Sequence, residues 1–145
     1  MKSKTKKTSG FTLLEIIIVI IIVAVLASLA LPKLFSTVEF SRSSEAMSNM
    51  SSVRSSISRC YLQVSDYDGC EDFDDLDMDD PNTAPNNHFT YTIASLGATT
   101  GFRITATRNT LDNAAMTSSD WVRLIQDDSA GTVTKQGNTV YKSIK

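Results

Sequence analysis

Glu15 is the residue whose surroundings first suggest a chemical role. Between positions 11 and 31 only Thr12, Glu15 and Ser28 are polar. About 20 apolar residues make a helix long enough to cross roughly 30 Å of hydrocarbon. An ionisable side chain at the middle of such a helix costs about 2.5–3.5 kcal/mol, less near an interface, and usually marks function. We therefore interpret this segment as a membrane-spanning helix and Glu15 as its functional group.

The remaining residue types offer little for catalysis. The chain has one histidine, His88, which precedes a strand-like run, and no Ser-His-Asp pairing or phosphate-binding loop follows from the spacing. We predict that the protein is not an enzyme and needs no cofactor.

An acidic stretch follows the helical part of the chain. Asp66-Tyr67-Asp68-Gly69 leads into seven carboxylates between positions 71 and 80, and two prolines follow. Repulsion among like charges and the prolines predict a surface loop over residues 66–87. Calcium prefers carboxylate oxygens, so Asp66 and Asp68 are weak candidate ligands, but the remaining EF-hand spacing is absent. A solvated loop without metal is the prediction, and a calcium site or an acidic binding face is the alternative.

The N-terminal residues resemble a known family. Gly10-Phe11-Thr12-Leu13-Leu14-Glu15 is similar to the processing site of type IV prepilins and of type II secretion pseudopilins. The resemblance implies that a dedicated peptidase cuts after Gly10 and methylates Phe11, the new N-terminus. It also makes Glu15 the fifth residue of the mature chain, with a role in assembly. Beyond Pro32 the chain resembles the family only in layout.

The implied cut has a direct electrostatic consequence. It creates a positive α-amine four residues before Glu15, and positions i and i+4 share one helix face. Amine and carboxylate can therefore neutralise each other within one chain or between neighbouring chains. A buried charge without its partner costs roughly 3–5 kcal/mol, so the carboxylate can fix the register of a helix bundle. The alternatives are a Glu15 that merely sits at the headgroup level and an ordinary secretory signal cut after Ala30.

Charge predicts the topology, and the topology predicts the state of the cysteines. Four of the 14 basic residues are lysines before Gly10, so the remaining 10 face 16 acidic residues, a balance of −6. The lysines hold the N-terminus in the cytoplasm and send the C-terminal part outward. An acidic exterior argues against nucleic-acid binding through bulk charge. In an oxidising compartment we expect Cys60 and Cys70 to form a disulfide.

Helical and strand periodicities divide the rest of the chain. Pro32 predicts a kink or a locally loosened helix because it removes a backbone donor. The helical pattern then resumes, with an apolar stripe at steps of three and four. That stripe consists of Ala46, Met50, Val53, Ile57, Cys60 and Val64. Two-residue alternation in 88–94 and 102–106 predicts an antiparallel pair, 121–126 a third strand, 132–134 a possible fourth, and Val140-Tyr141 a possible edge.

The expected fold class is therefore α+β, with a long N-terminal helix packed on a small antiparallel sheet, as in pilins. We divide the chain into a leader at 1–10, a transmembrane and filament-core helix at 11–32 and an amphipathic half at 33–65. The acidic loop at 66–87 and the sheet region at 88–145 complete it.

The resemblance, together with this layout, implies a structural subunit of a type IV pilus-like filament. By the resemblance, its partners are copies of itself and related pilins, the prepilin peptidase and methyltransferase, an inner-membrane assembly platform, and membrane lipid before assembly. Its location is first the bacterial inner membrane and then the cell-surface filament. A type II secretion pseudopilin is the alternative, although the tryptophan-glycine and calcium-loop pattern of major pseudopilins is missing. The cysteines also do not enclose a C-terminal loop, as they do in many pilins. The alternative of another class is a non-assembling, membrane-anchored calcium-binding or adhesion module.

Overall fold

The computed structural model of the chain describes residues 11–85, 87–109, 120–138 and 141–142. One long helix, α1, spans Leu13–Val64. Four strands follow: β1 at Phe89–Ser95, β2 at Gly101–Arg108, β3 at Trp121–Asp127 and β4 at Thr132–Gly137. The predicted α+β class, a helix with a small antiparallel sheet, is confirmed. Backbone contacts divide the chain into two units, Met1–Thr37 and Val38–Lys145.

The described part of the first unit, residues 11–37, is helical from Leu13 onward and buries no side chain. Every described residue up to Thr37 is exposed, although most are large and apolar. A helix satisfies all interior backbone groups within one segment, which a hydrocarbon environment requires. The helix continues without interruption through Pro32. The bend that we predict near Pro32 stays a prediction.

The second unit begins with the part of α1 that packs on the sheet. Its buried positions follow the predicted spacing: Ala46, Met50, Val53, Ile57 and Cys60 are all in the core. The prediction for Val64 was wrong, because this side chain is 53% exposed. The helix ends there: the next residue, Ser65, has φ 58° and donates its N–H to the Tyr61 carbonyl over 2.7 Å. A left-handed residue of this kind stops a helix, so the last turn does not cover the sheet.

The sheet is an antiparallel meander in the order β1-β2-β3-β4. Alternate residues of the first three strands form the inner face and complete the core under α1. These are Phe89, Tyr91, Phe102, Ile104, Ala106, Val122 and Leu124. The possible fourth strand at 132–134 is confirmed, because β4 pairs with β3 over Thr132–Gly137. The possible edge at Val140-Tyr141 lies partly outside the described residues, and Tyr141 itself is buried in the core without belonging to one of the four strands.

Gly101 allows β2 to approach β3 at the start of the strand. Its φ is +141°, and a Cβ there would lie 2.1 Å from the Gln126 carbonyl oxygen. Only glycine adopts this conformation without strain and leaves room for the neighbouring backbone.

The acidic segment between helix and sheet is more regular than charge repulsion alone predicts. It contains three single-turn 3-10 helices, at Asp68–Cys70, Phe73–Asp75 and Pro81–Thr83. Asp72 and Asp80 accept backbone N–H groups at the starts of the second and third turns, over 3.3 and 2.8 Å. Some of the carboxylates that repel one another thus also serve as turn caps.

Candidate functional site

The N-terminus of α1 is closed by a reciprocal pair of side chains. The Glu15 N–H donates to Thr12 Oγ1 over 3.3 Å. In return, Glu15 Oε2 accepts from the Thr12 backbone N–H at 3.3 Å and from the Thr12 hydroxyl at 3.4 Å. Two of the N–H groups that a helix start leaves unpaired are satisfied in this way, and the carboxylate lies at the positive end of the helix dipole.

This capping role was missed in the sequence analysis, although the signal is present. Thr12-Leu13-Leu14-Glu15 has the Ser/Thr-x-x-Glu spacing of a capping box before an apolar run. Glu15 is exposed, and its carboxylate has no cation within 4.0 Å in the described part of the chain. The local bonds to Thr12 thus position the carboxylate and leave its charge uncompensated.

The residues around Glu15 present a continuous apolar surface. Phe11 is 82% exposed, Leu13 77% and Leu14 68%. Gly10, the residue before the expected cut, lies outside the described residues. Phe11 and Glu15 lie at the same end of α1, as the expected pairing of a terminal amine with a carboxylate requires.

The helix that carries this end has the properties of a membrane span. It is long and apolar enough by length and composition, with a mean hydropathy of 3.1 over its most apolar 18 residues, none of them buried. Signal sequences near an N-terminus share these properties. The core helix of a water-soluble protein is mostly buried, whereas the apolar window of α1 is exposed. This difference in burial distinguishes the two kinds of helix.

Comparison with protein families places this helix end in a known context. Residues 5–31 match the family model described as the prokaryotic N-terminal methylation motif. The chain carries the type IV pilin and pseudopilin signature. The methylation motif includes Phe11, Glu15 and the helix up to Leu31, and it supports a precursor of the pilin or pseudopilin kind. The searches of curated proteins and of solved structures each found no match to this chain.

The methylation motif gives a coarse account of what happens to the chain. It implies processing by a prepilin peptidase and assembly with other pilins, and together with the apolar helix it is consistent with membrane anchoring before assembly. The motif ends at Leu31, so it carries no information on the sheet unit.

The sheet unit contains a second carboxylate from α1, in very different surroundings. Glu39 is 5% exposed and Arg108, on β2, is fully buried. Arg108 Nε lies 3.2 Å from Glu39 Oε2, and Arg42 Nη1 lies 2.8 Å from Oε1. The Tyr141 hydroxyl donates to Oε2 over 3.0 Å. Burial and the Glu39 carboxylate together raise the pKa of Tyr141 above its usual range.

This buried cluster joins three distant parts of the sequence. Arg108 also donates from Nη1 to the carbonyls of His88 and Asn109, over 2.9 and 3.0 Å. The sequence held a signal for it: Arg108 continues the inward alternation of Phe102, Ile104 and Ala106, and a cation on a core face requires a buried acid. His88 contributes its backbone here, next to β1.

Two further connections hold the acidic segment against α1. Cys60 and Cys70 form a disulfide, with a Cα–Cα distance of 6.1 Å. Asp77 accepts from Arg59 at Nε over 2.6 Å and at Nη2 over 2.7 Å, and it also accepts from the Ser56 hydroxyl. Hydrogen bonds from Arg59 and then from Ser56 lower the pKa of Asp77 to about 2.

Asp66 and Asp68, the weak metal candidates, form a local turn. The Asp68 N–H donates to Asp66 Oδ1 over 2.8 Å. Across the described ranges no group of three His, Cys, Asp or Glu side chains is arranged to hold a metal ion.

Proposed function

We propose that this chain is the structural subunit of an extracellular type IV pilus-like filament. It is made as a prepilin, cleaved after Gly10, N-methylated at Phe11 and polymerised through its N-terminal helix. Its role is structural and not enzymatic. The peptidase, the methyltransferase and the inner-membrane assembly platform are its processing and assembly partners.

One observation carries this proposal: the methylation motif extends over the N-terminal part of α1, where no side chain of the described residues covers the apolar surface. Residues 5–31 match the motif, and the side chains from Phe11 to Thr37 are exposed. Membrane lipid covers such a surface before assembly, and equivalent helices of other copies cover it in a filament. The small residues Ala27 and Ala30 line a shallow depression beside Leu31 and Leu34, where another helix can approach closely.

Glu15 supplies the electrostatic part of the assembly mechanism. Its carboxylate is already oriented by Thr12 at the helix N-terminus and has unused acceptor capacity. The α-amine created by the cut after Gly10 is the complementary charge. A new subunit that brings its amine to the Glu15 of a neighbour neutralises both charges inside the apolar bundle.

The sheet unit has features that favour a folded state outside the cell. It has its own core, its own disulfide and an internally paired buried carboxylate. An acidic surface and a disulfide both suit the outside of a filament exposed to an oxidising environment.

The test compares Glu15→Ala with the wild-type chain in the native cell, at equal protein levels. Glu15→Ala should still insert and be cleaved, because removing a charge makes the segment easier to bury and Gly10 is intact. Electron microscopy should show surface filaments in the wild type and none, or very few, in the variant. N-terminal sequencing and intact mass should give a chain that begins at methylated Phe11.

Gly10→Glu provides the second arm, because a bulky charged residue before the cut should retain the leader. A mature terminus at Leu31 contradicts the processing step, and normal filament yield from Glu15→Ala contradicts the pairing mechanism. Pseudopilins share the same motif. The wild-type cell could instead have no surface filament and yet need this chain to export a substrate. That result identifies a type II secretion pseudopilin.

A further inference from the structure

The sheet has an outer face, turned away from α1, that the proposed function does not use. In an antiparallel sheet, directly paired residues share a face. The pairs Thr107↔Trp121 and Thr105↔Arg123 lie on this face, and so does the pair Arg103↔Ile125. Thr90 and Thr92 of β1 extend it. The described part of the outer face is therefore rich in threonine and carries Trp121, Arg103 and Arg123.

The Arg123 side chain is held in place on this face. Its guanidinium carbon lies 4.2 Å from the centroid of the Trp121 ring, and its Nε donates to Thr105 Oγ1 over 3.3 Å. Both contacts leave the terminal nitrogens available. An arginine that stacks on an aromatic ring loses less freedom when its fork binds a carboxylate.

Arg103 is the diagonal neighbour of Arg123 in the register of β2 and β3, at a separation of about 7–8 Å. Partial burial, and then the charge of Arg103, lower the pKa of Arg123. Neither guanidinium has an ion-pair partner among the described residues. Asp127, at the end of the same strand, accepts from Ser129 and Ala130 in its own turn. Arg103 and Arg123 thus have no acidic ion-pair partner among the described residues. This is unexpected in a chain that has six more acidic than basic residues after Gly10.

The acidic segment 71–80 has the opposite imbalance. It contains seven carboxylates and no basic residue. Asp77 is paired with Arg59, Glu71 accepts the Ser95 N–H, and Asp72 and Asp80 cap turns. The other three carboxylates, those of Asp74, Asp75 and Asp79, are exposed and have no ion pair in the described ranges.

The acidic segment is tied to α1 and to the sheet of its own chain. Asp77 is bonded to Arg59 and Ser56, both on α1, and α1 packs on the inner face of the sheet. Arg103 and Arg123 lie on the outer face. Asp77 thus ties the acidic segment to α1, and Glu71 ties it to the end of β1 at Ser95. Among the described residues no ion pair joins this segment to Arg103 or Arg123 of the same chain.

We propose that the outer sheet face binds the acidic segment 71–80 of a second copy of this chain. Arg103 and Arg123 pair with Asp74, Asp75 and Asp79 of that copy, and Trp121 with its flanking threonines forms the floor of the contact. The inference rests on the proposed function, because a filament holds copies at high local concentration. It assigns to the sheet unit a copy-to-copy contact that is separate from the N-terminal helix.

A second copy fits this face better than an external polyanion. Nucleic-acid binding sites neutralise several phosphates, whereas this face offers two cations on a molecule with an overall negative charge. A segment with three free carboxylates matches two guanidinium groups more closely. The contact should weaken as salt is raised, because the groups are only partly buried.

The test uses full-length chains in the native cell, with a photo-crosslinking phenylalanine derivative in place of Thr92, an exposed residue of the outer face that lies two strands away from Arg123. After illumination, the sheared filaments are digested and the crosslinked peptides are identified by mass spectrometry. The expected product is a covalent dimer in which position 92 of one copy is joined to the peptide 71–80 of another. The same probe in place of Ser55, an exposed residue of α1, should give at least tenfold less of this product.

Charge reversal sharpens the test. Arg123→Glu should reduce the crosslinked dimer at least tenfold, and adding Asp75→Lys and Asp79→Lys should restore it. The matched control is Lys135→Glu, which makes the same change of charge on β4 outside this face and should leave the dimer unchanged.

Filaments whose probe at position 92 joins nucleic acid, another protein or another part of the chain overturn this inference alone. The inference is also overturned if Lys135→Glu reduces the crosslinked dimer as much as Arg123→Glu does, because such a result indicates an effect of overall charge. Absence of filaments in the wild type overturns the proposed function and this contact together.

Discussion

Two glutamates of α1 show how differently one helix can treat a carboxylate. Glu39 is buried, forms an ion pair with Arg108 and accepts a hydrogen bond from the Tyr141 hydroxyl. These two residues lie 69 and 102 positions further along the sequence. Glu15 is exposed on an apolar segment, and its bonds come from Thr12, three residues before it. The first carboxylate is compensated when the chain folds. The second is compensated only when another positive charge arrives.

The same contrast separates the two units. The sheet unit encloses its apolar side chains and pairs its buried charge internally. The N-terminal unit leaves its apolar side chains uncovered and its carboxylate without a cation in the described ranges. Glu39 should therefore determine whether the protein folds, and Glu15 whether it assembles. Each prediction below tests one side of this division, beginning with the largest expected effect.

Glu39→Ala should destabilise the sheet unit by roughly 3–5 kcal/mol, because Arg108 stays buried and charged after the Glu39 carboxylate is removed. The measurement is chemical denaturation of the full chain in detergent micelles, followed by the near-ultraviolet circular dichroism of its aromatic residues. Replacing both Glu39 and Arg108 by Met removes the two charges together and should recover much of the loss.

The matched control for that experiment is Glu45→Ala, on the same helix but exposed, which should change the free energy of unfolding by less than about 0.5 kcal/mol. Similar losses from the two variants would show that helix charge in general, and not the buried pair, determines stability.

Removing the disulfide with Cys60→Ser and Cys70→Ser should cost about 2–3 kcal/mol, since it frees a loop closed over 10 residues. Amide hydrogen exchange should rise first in residues 66–80 and later in β1 and β2. Simultaneous exchange in the sheet and the acidic segment would show that the disulfide supports the whole core. Free thiols at Cys60 and Cys70 in protein taken from the cell surface would contradict the disulfide itself.

Thr12→Ala should cost about 1 kcal/mol at the start of α1, because it removes an N-cap hydroxyl. Faster amide exchange at residues 13–16 in detergent micelles measures this fraying. Thr37→Ala is the control, because Thr37 bonds the Lys33 carbonyl within the helix and caps nothing. Neither change should alter the free energy of unfolding of the sheet unit. A change in that free energy would show that the two units do not fold independently.

Particular residues show which parts of this structure are readable from sequence. Local periodicity is sufficient for the helix stripe from Ala46 to Cys60 and for the inward residues of β1 and β2, since each position follows from its neighbours. Pairing between distant residues is not local, so the partner of Arg108 could not be named before the fold brought Glu39 to it. Thr12 shows a third case, in which a local capping signal was present and was overlooked beside the charge of Glu15.

The smallest expected effect concerns Asp77, the anchor of the acidic segment. Its pKa is lowered to about 2 by hydrogen bonds from Arg59 and Ser56. A carboxyl with a depressed folded-state pKa stabilises the fold at every pH above its unfolded value near 4. That stabilisation is lost as the pH falls toward 2. Between these limits the anchor should weaken while the buried Glu39 cluster keeps the sheet unit folded.

Amide exchange of residues 71–80, measured from pH 5 down to pH 2, tests this, after correction for the intrinsic pH dependence of exchange. The wild type should lose protection in this segment across the window, whereas Asp77→Asn should have low protection throughout and show little further change. Asp79→Asn is the matched control, because Asp79 is exposed and makes no ion pair in the described ranges. Equal pH dependence in wild type and Asp77→Asn would place the anchor elsewhere, with the disulfide from Cys60 to Cys70 as the next structure to test.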